Sequence, residues 1–208
     1  MNQIILNAIL NASLGQLLHI IEHHKNAFVI EEAANQLIHR PELQIKHLRY
    51  AVAWCPPCME DKLGNALINF PKVQPEDLLF VINLGRDKRV NLSKAIAAAE
   101  ALIKHPNVSM DDFELLQTTE MSNYLGAVLT ETIHQAKLSH PDVSYVDIQN
   151  ELDRLGDDAG GRVDLQKRFM NDDMVPLMEL KWLLRICSDQ IKTDLKKKIV
   201  EWEAVHSI

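Results

Sequence analysis

Two groups of residues in this 208-residue chain have types and spacings suited to chemistry. Cys55 and Cys58 flank Pro56 and Pro57 as C-P-P-C. Two thiols three residues apart can close a disulfide across a tight turn when the geometry allows. A thiol at a helix N-terminus is also acidified by the helix dipole. Proline is favoured at the first helical position, so Pro56 and Pro57 are expected to open a helix and hold Cys55 near its start. Against a reactive pair, Arg49 lies six residues back, and Glu60 and Asp61 oppose a thiolate. The expectation is an ordinary, structurally placed pair, reduced in the cell. Zinc is the weaker reading, because one C-x-x-C supplies two ligands and only His47 lies nearby. The second group is His19, Glu22 and His23. Histidines four apart share a helix face, as two zinc ligands would. No downstream acidic ligand is identifiable, and His24 follows at once, which reads as a polar face. His105 and His140 precede prolines at matching positions, which argues for a structural role such as reaching helix-end carbonyls. No metal, no cofactor and no catalytic set is expected.

The elements that carry these residues follow an internal repeat. Pro41, Pro71, Pro106 and Pro141 stand 30, 35 and 35 residues apart in matching surroundings: LIHRPEL, LINFPKV, LIKHPNV and KLSHPDV. Ile38, Ile68, Ile103 and Leu138 lie three before the prolines; Leu43, Val73, Val108 and Val143 lie two after; Leu48, Leu78, Phe113 and Ile148 lie seven after. Such periodicity marks stacked repeats. Each copy reads as a helix A that stops at the proline, an apolar residue that tucks back into the core, and a second helix B. Ser109 with Asp112 and Ser144 with Asp147 resemble capping boxes. Pro75 with Asp77 suits a first turn. Gln44 is a poor cap, and His47 stands where the later copies have an acid. A helices are expected at 27–39, 57–69, 91–104 and 122–139, and B helices at 45–54, 75–84, 110–119 and 145–155. Leu78 and Phe113 are expected to be buried. The competing arrangement is an irregular bundle in which helix–proline–helix chemistry recurs without stacking.

The H-P-x-V-x-x-x-D-[FI] stretches around Pro106 and Pro141 resemble the helical units of HEAT-type and leucine-rich-repeat-variant α-solenoids, over about residues 27–155. That resemblance implies protein binding along a face, with no catalytic residues to carry over. A second resemblance is local: the A-W-C-P-P-C stretch looks like the redox motif of thioredoxin-like proteins. There the motif follows a strand, whereas LQIKHLRYAVAW fits helix B. Similarly, H-x-x-E-H at 19–23 matches the inverzincin signature in a chain far shorter than those peptidases.

The whole chain, 1–208, is expected to be one all-helical domain. Residues 1–26 carry a capping helix at 3–24, residues 27–155 four helix hairpins, residues 156–162 a glycine-rich loop, and residues 163–208 C-terminal helices. The last of these reads as one long helix from about Met174, with a stripe through Leu177, Leu184, Leu195 and Trp202. Apolar residues make up 47% of the chain, aromatic residues 5%, and the net charge is −7. An acidic surface repels phosphate backbones and anionic membranes, so neither nucleic acid nor membrane is expected as a partner. Lys196–Lys198 lies among acids and reads as a solvated face. The N-terminus lacks the basic start of a signal peptide, and an unpaired set of three cysteines favours the cytoplasm. The expected function is non-catalytic binding of another protein by an adaptor, scaffold or regulatory module. The alternative is a thiol-redox or metal-dependent enzyme using Cys55 and Cys58. The expected partner face lies five, eight and twelve residues after each proline. It carries Lys46 and Arg49, then Glu76 and Asn83, Asp111 and Glu114, and Gln149 and Asp153, running from basic to acidic. Self-association through the C-terminal helix is a further expectation.

Overall fold

A computed structural model describes residues 3–87, 90–155 and 162–206. The chain is all-α, with no strand among the described residues. The helices are α1 (Gln3–Leu10), α2 (Leu14–His23), α3 (Ala27–Ile38), α4 (Ile45–Trp54), α5 (Glu60–Ile68), α6 (Pro75–Arg86), α7 (Leu92–Ile103), α8 (Met110–Leu116), α9 (Thr119–Leu125), α10 (Ala127–Ser139), α11 (Tyr145–Leu155), α12 (Val163–Asn171), α13 (Leu177–Ile186) and α14 (Asp189–His206). The chain divides into two compact units, residues 1–136 and 137–208, with the boundary inside α10. The expected loop at 156–161, with Asp157 and Asp158, lies outside the described residues. None of the described helices is long and apolar enough to cross a membrane.

The four proline turns share one construction. An A helix ends two or three residues before the proline. The residue two after the proline folds inward, and the B helix starts four after it. The side chain at the third helical position accepts the N–H of the cap residue. Gln44 N donates to His47 Nδ1 at 3.1 Å, Gln74 N to Asp77 Oδ2 at 3.0 Å and Ser109 N to Asp112 Oδ2 at 2.8 Å. His47 therefore does the work of the acid it replaces. Leu48, Leu78, Phe113 and Ile148, seven after each proline, are all buried.

Three expected helices are divided, each for a local or long-range reason. The helix expected at 3–24 breaks after Leu10, because Ser13 caps α2 reciprocally with Gln16. The helix expected at 122–139 is two, α9 and α10, parted by Gly126 at φ 85°, a left-handed conformation that favours glycine. The helix expected from Met174 is also two. Buried Gln166, brought from α12, accepts the Ser188 N–H at 3.1 Å, and the backbone turns extended at Cys187. In addition, α8 ends at Leu116 instead of 119. One turn was missed in the sequence. Between α12 and α13, Asp173 stands in the proline's place, Val175 folds inward two residues later, and Leu180 is buried seven later.

In residues 1–136, α3 packs between α1 and α5, and α5 packs on α7; α4 packs between α2 and α6. Each B helix packs more extensively on the A helix that follows it than on the one before it across the proline turn. The extended residue that caps each B helix turns the chain away from the preceding helix. Equivalent side chains tie successive A helices together. Lys62 Nζ reaches Glu31 Oε1 and Asn35 Oδ1 at 2.9 Å each. Lys94 Nζ reaches Asn65 Oδ1 at 2.9 Å and Asp61 Oδ1 at 3.4 Å. Glu31 and Asp61 hold the same position relative to Pro41 and Pro71, as do Asn35 and Asn65. Turn carbonyls are met in the same way. Arg40 Nη2 donates to Leu10 O and Ala12 O at 2.9 and 2.7 Å, and His105 Nε2 donates to Val73 O at 3.1 Å. In residues 137–208, Arg168 donates to Leu138 O and His140 O. Its core gathers Ile148, Leu165, Phe169, Leu180, Ile191 and Leu195.

Candidate partner-binding face

The decapeptide IKHLRYAVAW forms α4 because Leu48, Ala51 and Val52 fall at helical spacing and enter the core. Lys46, Tyr50 and Trp54, four residues apart, consequently share the outward side. Tyr50 is 42% exposed and Trp54 52% exposed. Beside them, Arg49 lays its guanidinium 4.6 Å from the centre of the Phe80 ring on α6 and donates from Nη1 to Asp77 Oδ1 at 3.2 Å. Asp77 is buried and holds the start of α6 with its other oxygen. One carboxylate thus caps α6 and fastens α4 to it. On the opposite flank, the Tyr50 hydroxyl donates to Glu22 of α2. This hydrogen bond pushes the phenol above its ordinary value.

The expected charged positions are distributed as follows. Lys46 and Glu76 are exposed on neighbouring helices, with Asn83 half-buried on α6. Arg49 is half-buried and engaged, so the basic end of the expected gradient is carried by Lys46. Asp111 and Glu114 are exposed on α8, whose principal contact is α9. Gln149 and Asp153 belong to the second unit, where Gln149 Nε2 donates to Glu179 Oε2 at 2.6 Å and Asp153 is exposed. Sequence reasoning overlooked the aromatic members. Tyr50, Phe80 and Leu115 stand nine residues after Pro41, Pro71 and Pro106, a correspondence available in the repeat itself. In the C-terminal unit, the Trp182 ring packs edge-on against Phe169, with ring centres 5.8 Å apart.

Cys55 lies at the C-terminal cap of α4, not at a helix N-terminus. Its N–H donates to Ala51 O, its Sγ donates to Val52 O, and Pro57–Met59 form a separate 3₁₀ turn before α5. Burial, followed by the charge of Glu60, pushes the Cys55 thiol up to about 12. Cys58 is exposed, and both thiols are free. His19 and His23 are exposed with ring centres 4.5 Å apart, and Glu22 lies 3.4 Å from His23. No group of three or more metal-binding side chains occurs among the described residues. His105 and His140 share one local arrangement. Each Nδ1 accepts an N–H two residues ahead, from Asn107 and Asp142. Comparison of the chain with protein-family models, curated proteins and solved structures gives no match.

Proposed function

We propose that the chain is a short array of stacked helix hairpins, resembling an α-solenoid, that binds another protein through the outward side of α4 and α6. The stacking reading draws on the A-to-A and B-to-B packing of α1 to α7 and on the Lys62 and Lys94 bonds made at equivalent positions. The binding reading rests on one observation above all: Tyr50 and Trp54 are exposed together beside the Arg49–Phe80 stack. Tyrosine, tryptophan and arginine are the residue types in which interface energy concentrates. Here the ties to Glu22 and Asp77 hold Tyr50 and Arg49 in place before any partner arrives, which lowers the ordering cost of binding. Lys46 and Glu76 at the edge would set orientation and encounter rate more than affinity. The raised Cys55 thiol leaves Cys58, at the surface, as the one that the dithiol alternative would have to use for attack. A protein with three free cysteines suits the reducing cytoplasm, where we place it.

The test is capture from native cell extract with wild-type protein and with Trp54→Ala and Lys46→Glu variants. Both variants should lose the same captured protein while keeping the wild-type melting temperature. An unaltered set of captured proteins would remove this face from consideration. Arg49→Glu is a poor probe, because it sets a second acid against Asp77 and would disturb folding.

A further inference from the structure

We infer that the outer side of α1, with the adjoining side of α2, is a contact between two copies of this chain related by a two-fold axis. This inference concerns a different surface from the α4–α6 face and does not rest on it. Helix α1 is apolar around most of its circumference. Ile9 enters the core, while Ile5 and Leu10 are exposed and Ile4 is 73% exposed. A helix that is apolar on all sides belongs in an interior. Beside it, a cleft of about 610 Å³ is lined by Ile4, Ile5, Ala8, Gly15, Ile20 and Val29, among others. Among the described residues no Asp, Glu, Lys or Arg lines that cleft, and Phe28 adds a further exposed ring where α3 begins.

The charge pattern selects the occupant. Residues 1–21 contain no Asp, Glu, Lys or Arg, although the chain as a whole carries −7. Two copies repel wherever their acidic surfaces meet, and the uncharged α1–α2 surface can face its own image without that cost. A partner recognised by opposite charge finds nothing here to recognise. A membrane-surface helix would carry Lys or Arg along its polar side, and α1 has none. The polar groups at the edge include the exposed amides Gln3, Asn7 and Asn11, with Gln16, His19 and His24 along the α2 side of the cleft. Each amide both donates and accepts, so the same side chain can pair with its own copy across a two-fold axis, which a lysine or glutamate cannot do. The C-terminal helix is less suited, because Ile191, Leu195 and Ile199 are already buried in the core of the second unit.

Sedimentation velocity on the full chain, over a concentration series reaching ~100 µM, tests this. Wild-type protein should sediment as a dimer that dissociates on dilution. Ile4→Glu, whose site is mostly exposed, should raise the dimer dissociation constant at least ~10-fold with an unchanged circular dichroism melt. Should Ile4→Glu fail to fold, Phe28→Asp serves as the second variant, since it leaves α1 intact. A wild-type monomer throughout the series overturns the inference, and so does a dimer that persists unweakened in the folded variant. Co-sedimentation of wild-type protein with phosphatidylcholine vesicles, abolished by the same substitution, would assign the surface to lipid and overturn it equally.

Discussion

At the scale of single residues, the two thiols of the C-P-P-C stretch differ because one is half-buried and the other exposed. Cys55 must lose its proton inside an apolar site with Glu60 nearby, whereas Cys58 faces solvent. Iodoacetamide near neutral pH should therefore modify Cys58 and leave Cys55 untouched until the protein is unfolded, as read by peptide mass mapping. Rapid modification of Cys55 in the folded protein would contradict its placement. His47 offers a second residue-level test. Burial first, and then Lys46, hold it below the ordinary histidine value of 6.5. The unfolded chain therefore takes up the proton first as pH falls. The stability due to this site is complete above the unfolded value and is lost as pH drops through the folded value. Protonation also removes the Nδ1 lone pair that accepts the Gln44 N–H. His47→Asp keeps an acceptor and should out-stabilise wild type by about 1 kcal/mol near pH 5 but hardly at all near pH 8. Urea denaturation at the two pH values gives the difference, and equal gains at both would refute the titration argument.

At the scale of elements, α6 and α7 approach closely because Gly85 has no side chain. A Cβ there would stand 2.5 Å from the Tyr124 hydroxyl and 2.7 Å from the Ala95 Cβ. Gly85→Ala should thus destabilise the protein by ~1–3 kcal/mol through overpacking, despite alanine's better helix propensity. Tyr124→Phe should restore part of the loss in the double variant by withdrawing the nearer atom. A stabilised Gly85→Ala in urea denaturation would mean that the helices are farther apart than described. The broken helices teach the same lesson about elements. Ser13 with Gln16 is a local stop signal that can be read directly, whereas the break at Cys187–Ser188 needs Gln166 from another helix.

At the scale of the whole molecule, the described residues are helices joined by short turns, and far-UV circular dichroism should show helix without a sheet component. A substantial sheet signal would remove the basis for every packing statement made for both units. The net charge of −7 and the lack of Asp, Glu, Lys and Arg over residues 1–21 are likewise properties of the chain as a whole. No single residue confers them, yet they decide where copies repel and where they do not.

Much of the architecture was legible in the chain, because its signals act over a few residues. Apolar spacing placed α3, α4, α6, α7 and α11 to within about two residues at each end, and the prolines marked four of the turns. The turn at Asp173 escaped notice because it keeps the inward Val175 and buried Leu180 but lacks the proline that announced the others. Of the candidate face, the exposed Lys46 and Glu76 were foreseen, and Tyr50, Phe80 and Leu115 were readable as a matched position but not read. What tertiary structure alone decided is the state of each group. Arg49 is committed to Asp77, 28 residues away along the chain, and the Cys55 thiol is raised by burial. Helix formation depends on neighbours three and four residues apart, which a sequence displays. Burial and ion pairing depend on which distant segments fold against each other, and only the folded chain brings those together.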